Sequence, residues 1–159
     1  MKSPGESSTR RKLPVLLDGP AIELGVFVQL MRTYSRLERQ AEKIIEAQGL
    51  SLPQFDVLAT LRLGEGITQQ ELAERLLVTK GNVCALIDRM EAGGWVQRRA
   101  DPEDRRANRL FLTRSGKALL AKAMPPHDQK IREMLGVLSR PELQKLHQLL
   151  DEIESGLKE

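Results

Sequence analysis

Five arginines (Arg98, Arg99, Arg105, Arg106 and Arg109) fall within twelve residues, interleaved with three acids, Asp101, Glu103 and Asp104. A guanidinium is a planar fork of donors that matches phosphate oxygens. At a hairpin tip it also suits a narrow A·T-rich minor groove, whose negative potential attracts it. Asp104, two residues before Arg106, can hold that guanidinium by a bidentate pair and aim it. The same composition also suits a surface ion-pair cluster that contributes little. Upstream, Thr79-Lys80-Gly81-Asn82 opens an amphipathic stretch with small and polar side chains. At the start of a helix lying in a major groove, Asn pairs with adenine and Lys reaches guanine or phosphate. The free N–H groups there suit phosphate as well. An ordinary solvated helix start looks no different when taken alone. Together the two segments favour DNA.

Other chemistries find little in the chain. No glycine-rich phosphate loop follows a strand pattern, and no nucleophile stands at a suitable spacing from a base. The sequence therefore predicts neither an enzyme nor a bound cofactor. Cys84 is the one cysteine, which excludes an internal disulfide; His127 and His147, twenty residues apart, do not form a metal-ligand pair and read as surface residues. No apolar run approaches the roughly 18 residues of a membrane span, and the opening MKSPGESSTRRK has no apolar segment behind it. A cytoplasmic protein with no membrane partner is expected. The net charge of +3 arises within the first twelve residues, and the other 147 balance at 21 basic and 21 acidic side chains. The overall charge is thus weak support for nucleic acid, and placement of the positives matters more. Five aromatics (Phe27, Tyr34, Phe55, Trp95 and Phe111) are too few for a single-strand stacking platform.

The elements that would position these residues follow from periodicity. Residues 1–17 read as a disordered basic tail, and 18–48 as an N-terminal dimerisation helix with apolar residues at Phe27, Leu30, Tyr34, Leu37, Ala41, Ile44 and Ile45. Gly49 ends that helix. Ser51…Gln54, Thr68…Glu71 and Ser139…Glu142 each set a hydroxyl three residues before a Glu or Gln, the spacing of a capping box. They predict helices over 51–63, 68–76 and 140–156. A helix over 79–91, with Val83, Leu86, Ile87 and Met90 on its apolar face, follows the short link Leu77-Val78 and stops at Gly93-Gly94. The period then changes to two over 95–100 and 108–113, two strands joined by the arginine-rich loop. A helix-turn-helix followed by a hairpin is a winged helix, here spanning 49–113. Residues 114–159 read as two C-terminal dimerisation helices, the first kinked or broken at Pro125-Pro126. In the last, Leu143, Leu146, Leu150, Ile153 and Leu157 form a stripe that a second subunit would cover. The fold class is mainly α with a small β-hairpin wing, a winged helix-turn-helix flanked by dimerisation helices.

Residues 67–119, ITQQELAERLLVTKGNVCALIDRMEAGGWVQRRADPEDRRANRLFLTRSGKAL, resemble the MarR family of transcriptional regulators. The wing pattern carries the likeness most specifically, through Asp104, Arg106, Leu110, Leu112 and Thr113. The resemblance implies a homodimer that presents two winged helices to a pseudo-palindromic duplex operator. It implies repression, released by a small aromatic, phenolic or anionic effector. Thr68, Gln69, Thr79, Lys80, Gly81, Asn82, Val83, Arg98, Arg99, Asp104, Arg105 and Arg106 would form the DNA-binding set. Phe27, Met31, Tyr34, Phe55 and Asp56 would line an effector crevice, although core packing accounts equally for the apolar members. Cys84-Ala85 stand where the family often has Thr-Arg, so one frequent DNA-contacting arginine is missing. Two alternatives stay open. One is a winged helix used for protein–protein contact; the other is an effector-free DNA regulator controlled by oxidation of Cys84.

Overall fold

The computed structural model describes residues 22–102 and 108–157. The chain divides into two compact units between Glu38 and Arg39. Helix α1 runs Ile22–Glu46, and its N-terminal stretch belongs to the first unit. There Leu24, Phe27, Met31 and Tyr34 recur at steps of three and four and are all about half exposed. Further along, Ala41 and Ile45 are buried. Gly49 ends the helix at φ +81°, a left-handed conformation, and its N–H donates to the Glu46 carbonyl at 2.9 Å.

The second unit follows the order expected of a winged helix. Helices α2 (Leu52–Leu63), α3 (Gln69–Arg75) and α4 (Lys80–Ala92) precede strands β2 (Val96–Ala100) and β3 (Asn108–Leu112). Helices α5 (Arg114–Leu135) and α6 (Arg140–Gly156) close the chain. All three capping boxes form: the N–H groups of Ser51, Thr68 and Ser139 donate to Gln54 at 2.9 Å, Glu71 at 2.6 Å and Glu142 at 2.7 Å. Each box satisfies backbone donors that a helix start leaves free, so its boundary was visible in sequence.

A short strand absent from the sequence reading, β1 (Ile67–Thr68), pairs antiparallel with β3 through Ile67↔Leu110 and Thr68↔Arg109. The sheet order is β1-β3-β2. Two residues cannot display a period of two, so β1 is fixed by its partner rather than by its own pattern. Leu110, Leu112 and Val96 turn inward onto a core shared with Ile45, Leu58, Leu61, Leu72, Val83, Ile87, Met90, Leu120 and Ala123. Thus one end of α1 and the first turns of α5 are built into the core of the winged helix.

Two local expectations need correction. Helix α5 continues without a break through Pro125 and Pro126. The missing N–H groups cost hydrogen bonds to the preceding turn. Burial of Leu120 and Ala123 before the prolines, and of the ring of His127 after them against Phe55, holds both halves in place. His127, read from sequence as a surface residue, is accordingly half-buried, with ring centroids 4.6 Å apart.

Between α3 and α4 the chain turns at Leu77, which has φ +54° and is 93% exposed. A left-handed leucine costs roughly 1–2 kcal/mol, and this one gains nothing from burial. Leu77→Gly is expected to raise unfolding stability by roughly 0.5–1 kcal/mol, the added flexibility of the unfolded chain offsetting part of the relief. Urea melts of the two proteins give this value directly; a destabilised variant would contradict it.

Candidate nucleic-acid interface

The recognition helix α4 is positioned by its buried side. Val83, Ile87 and Met90 are at most 1% exposed, and they fix the rotation of the helix about its axis. That rotation leaves Lys80, Gly81, Asn82, Ala85, Asp88 and Arg89 exposed. Thr79 caps the helix, accepting the Asn82 N–H at 3.4 Å. Val83 therefore belongs to the core and not to the groove-facing set, because its side chain follows the 3.6-residue period inward. Cys84 is half-buried on the same helix.

Arg89 was missed in the sequence reading. It is exposed, makes no ion pair among the described residues, and lies one turn beyond Ala85 on the open side of α4. Carrying the period from Asn82 through Ala85 would have found it. Gly81 meets no neighbour within 4 Å of an added Cβ, so the protein itself does not require glycine there. Thr68 caps α3, accepting the Glu71 N–H at 3.2 Å. Gln69, the first residue of α3, turns inward, and its Nε2 is buried without a hydrogen-bond partner.

The arginines of the wing divide by role. Asp104, Arg105 and Arg106 lie outside the described residues. Arg109 donates through Nε to Asp101 at 2.7 Å and through Nη1 to the Gly66 carbonyl at 2.9 Å. Asp101 is only 6% exposed, so the ion pair joins the two sides of the wing at its base, and the bond to Gly66 ties that base to the loop before β1. Arg98 bridges to Asp88 at 2.6 Å and to Glu91, both on α4. Arg99 is exposed, with its guanidinium 4.3 Å above the ring of Phe111, a cation–π contact that preorganises the fork. A count of charges alone makes these residues one patch. Three of them have partners inside the domain, which only register and helix rotation reveal.

The start of α5 locks this arrangement. The Thr113 hydroxyl accepts the Gly116 N–H at 3.0 Å and donates to the Gly94 carbonyl at 2.6 Å. The Thr113 N–H donates to the Trp95 carbonyl at 3.1 Å, and the Ser115 hydroxyl to that of Gly94, also at 3.1 Å. The turn joining α4 to the wing is thus held by the beginning of the C-terminal helices.

An open cleft of about 900 Å³ lies between α2 and α5. Arg62, Glu65, Lys117, Met124, Asp128 and Arg132 are among the residues around it; Phe55 and Asp56 are not. The Arg62 guanidinium contacts the Met124 sulfur, and Lys117 pairs with Glu65 at 3.0 Å. Of the residues expected in an effector crevice, Phe55 is 4% exposed in the core and Asp56 is half-buried on α2. Phe27, Met31 and Tyr34 belong to the first unit, where the Tyr34 hydroxyl donates to Glu38 at 2.9 Å. Among the described residues no group of three or more metal-ligating side chains occurs, and no helix is long and apolar enough to cross a membrane.

Three carboxyl groups at these junctions are held below their ordinary value of 4.5. For Glu71 the largest cause is the Thr68 N–H, followed by its hydroxyl. For Glu91 it is the Arg98 N–H, with burial opposing and the guanidinium adding. For Glu142 it is the Ser139 hydroxyl, then its N–H. A depressed folded value means stability that is present above the ordinary carboxyl range and lost as pH falls through the folded values. The melting temperature is expected to drop between about pH 5 and pH 3, and to drop less in a variant with glutamine at all three positions. An equal acid loss in both proteins would refute this.

Comparison with known proteins agrees with the geometry. The MarR family sequence profile matches residues 48–107. The transcriptional repressor MprA of Escherichia coli (strain K12) is 30% identical over 142 residues, covering 88% of this chain and 81% of MprA. The HTH-type transcriptional regulator MhqR of Bacillus subtilis (strain 168) is 29% identical over 136 residues, covering 86% of this chain and 94% of MhqR. A cysteine-to-serine mutant of MarR from E. coli, solved in complex with operator DNA, superposes with a TM-score of 0.75 at 26% identity. That match covers 87% of this chain and 98% of the MarR chain. The buried face of α4, its open polar face and the wing beside it are the parts such a regulator needs, and the chain belongs to the MarR family of winged-helix, DNA-binding transcriptional regulators.

Proposed function

We propose that the protein is a cytoplasmic homodimeric repressor that binds a pseudo-palindromic duplex operator and releases it when a small aromatic or anionic effector binds. The observation that carries the DNA reading is the open face of α4, where Lys80, Gly81, Asn82, Ala85 and Arg89 are exposed around a helix start while the opposite face is buried. Asn82 and Lys80 read base edges in the major groove, and Arg89 and Arg99 anchor phosphates. By the family pattern Arg105 and Arg106 enter the minor groove, aimed by Asp104. Homodimerisation is supported by α6, which buries none of its residues and exposes Leu146, Leu149, Leu150 and Ile153, with Leu157 exposed just beyond its end. The effector reading is supported by the α2–α5 cleft, where Arg62 and Arg132 offer positive charge to an anionic group beside the Lys117–Glu65 pair.

Selection of duplexes from a random-sequence pool, followed by salt titration of the selected duplex against a scrambled one, tests the reading. Specific binding at least ~10³-fold tighter, with log K falling steeply with log[salt], is expected. Arg105→Ala and Arg106→Ala should each weaken it. Selection of no duplex, together with tolerance of both changes, would favour the protein-contact alternative. Addition of salicylate as an anionic aromatic probe should weaken the complex, and less so in Arg132→Ala.

A further inference from the structure

We propose that Arg98 is a positioning residue of the DNA-reading surface: it clamps wing strand β2 to recognition helix α4, so that both reach the duplex as one piece, and does not itself touch DNA. The inference rests on the DNA-binding reading and concerns how that surface is held. Arg98 makes three bonds to one helix. Its Nη2 donates to Asp88 Oδ1 at 2.6 Å, its Nη1 to Glu91 Oε2, and its backbone N–H to Glu91 Oε1 at 2.8 Å. Asp88 and Glu91 are three residues apart, hence neighbours on the surface of α4, and a planar fork spans them where an ammonium could not. The Arg98 side chain is 19% exposed, and both terminal nitrogens are engaged, which leaves little of the fork for a phosphate.

The clamp adds a tie between the two reading elements to the one that Thr113 and Ser115 make at their connection. From α4 the chain reaches β2 through Gly93-Gly94, and Gly94 takes a left-handed φ of +71°. This is the most permissive pair of residues available at a joint between two reading elements. Strand β2 is also an edge of the sheet, and the Glu91 carboxylate accepts an N–H from it that β3 does not take up. Finally, Asp88 and Glu91 are carboxylates on the helix that approaches phosphate. Arg98 compensates part of their repulsion while holding them.

The sign of one substitution tests this. Asp88 is 67% exposed and alanine is a good helix former, so Asp88→Ala leaves the fold intact even if Arg98→Gln does not fold. Removing a negative charge should tighten DNA binding if Asp88 acts only by repulsion. The clamp predicts the opposite. With full-length protein and a 30-base-pair duplex selected by the wild type from a random pool, Asp88→Ala is expected to weaken binding about tenfold. Arg98→Gln should weaken it by roughly 10–100-fold, and Arg98→Lys should not rescue it. Both losses are expected with the slope of log K on log[salt] within about 0.5 of wild type, whereas Arg89→Gln and Arg99→Gln should each reduce it by about 1. Tighter binding by Asp88→Ala overturns the proposal. So does wild-type affinity in Arg98→Gln, or a slope that drops as it does for Arg89→Gln. A wild-type protein that selects no duplex removes the DNA reading itself, and the clamp with it.

Discussion

Gly116→Ala is expected to lower unfolding stability by about 3 kcal/mol or more. An added Cβ at Gly116 would lie 2.0 Å from the Trp95 carbonyl oxygen and 2.9 Å from its carbon. The obstacle is backbone, so no rotamer change relieves it. Relief requires α5 to move away from the α4–β2 turn, which breaks the bonds from Thr113 and Ser115 to Gly94 and Trp95. Because that turn orients both reading elements, operator affinity should fall even at temperatures where the variant is folded. Gly81→Ala is the matched control. Its Cβ meets nothing, and alanine gains up to about 1 kcal/mol in helix propensity, so stability should rise slightly. DNA affinity should nevertheless fall, because the methyl group projects from the face that approaches the groove. Urea denaturation separates the two; similar stability of Gly116→Ala and wild type would refute the packing argument.

Leu150→Glu combined with Ile153→Glu is expected to convert the proposed dimer to a monomer. Leu143, Leu146, Leu150, Ile153 and Leu157 repeat at steps of three and four, the spacing of a helix seam that packs against another helix. Leu150 is 40% and Ile153 48% exposed. Two glutamates in each copy would bring four carboxylates into one apolar contact, at a cost of several kcal/mol without partners. Light scattering should then report 17.9 kDa in place of twice that mass. Operator affinity should fall by at least ~10²-fold, since two tethered half-site contacts become two separate ones. A wild-type monomer, or a dimer indifferent to both glutamates, would refute the proposal.

The helices were legible because their signals are local. The boxes at Ser51, Thr68 and Ser139 need only residues three positions apart, and the apolar faces of α4 and α6 need only the helical period. Strand β1 was not legible, since two residues become a strand only when β3 lies beside them. Continuity of α5 through Pro125-Pro126 depends on side chains packed before and after the prolines, which local chemistry does not contain.

The candidate interface shows the same division. That Lys80, Gly81 and Asn82 open a helix of a winged domain follows from residue order, capping and periodicity. Val83 stood both on the apolar face and in the DNA-binding set, and burial put it in the core; Arg89 lies at the surface where the helical period from Asn82 and Ala85 leads. The five wing arginines are equivalent in a count of charges. In three dimensions Arg109 meets Asp101, Arg98 meets Asp88 and Glu91, and Arg99 lies over Phe111. Sequence by itself determined the helices, the two wing strands, their order and the family, because capping, periodicity and motif spacing act over a few residues. Only the tertiary structure decided which charges are tied up within the domain and which stand open, because an ion pair forms between residues that the fold, and not the chain, makes neighbours.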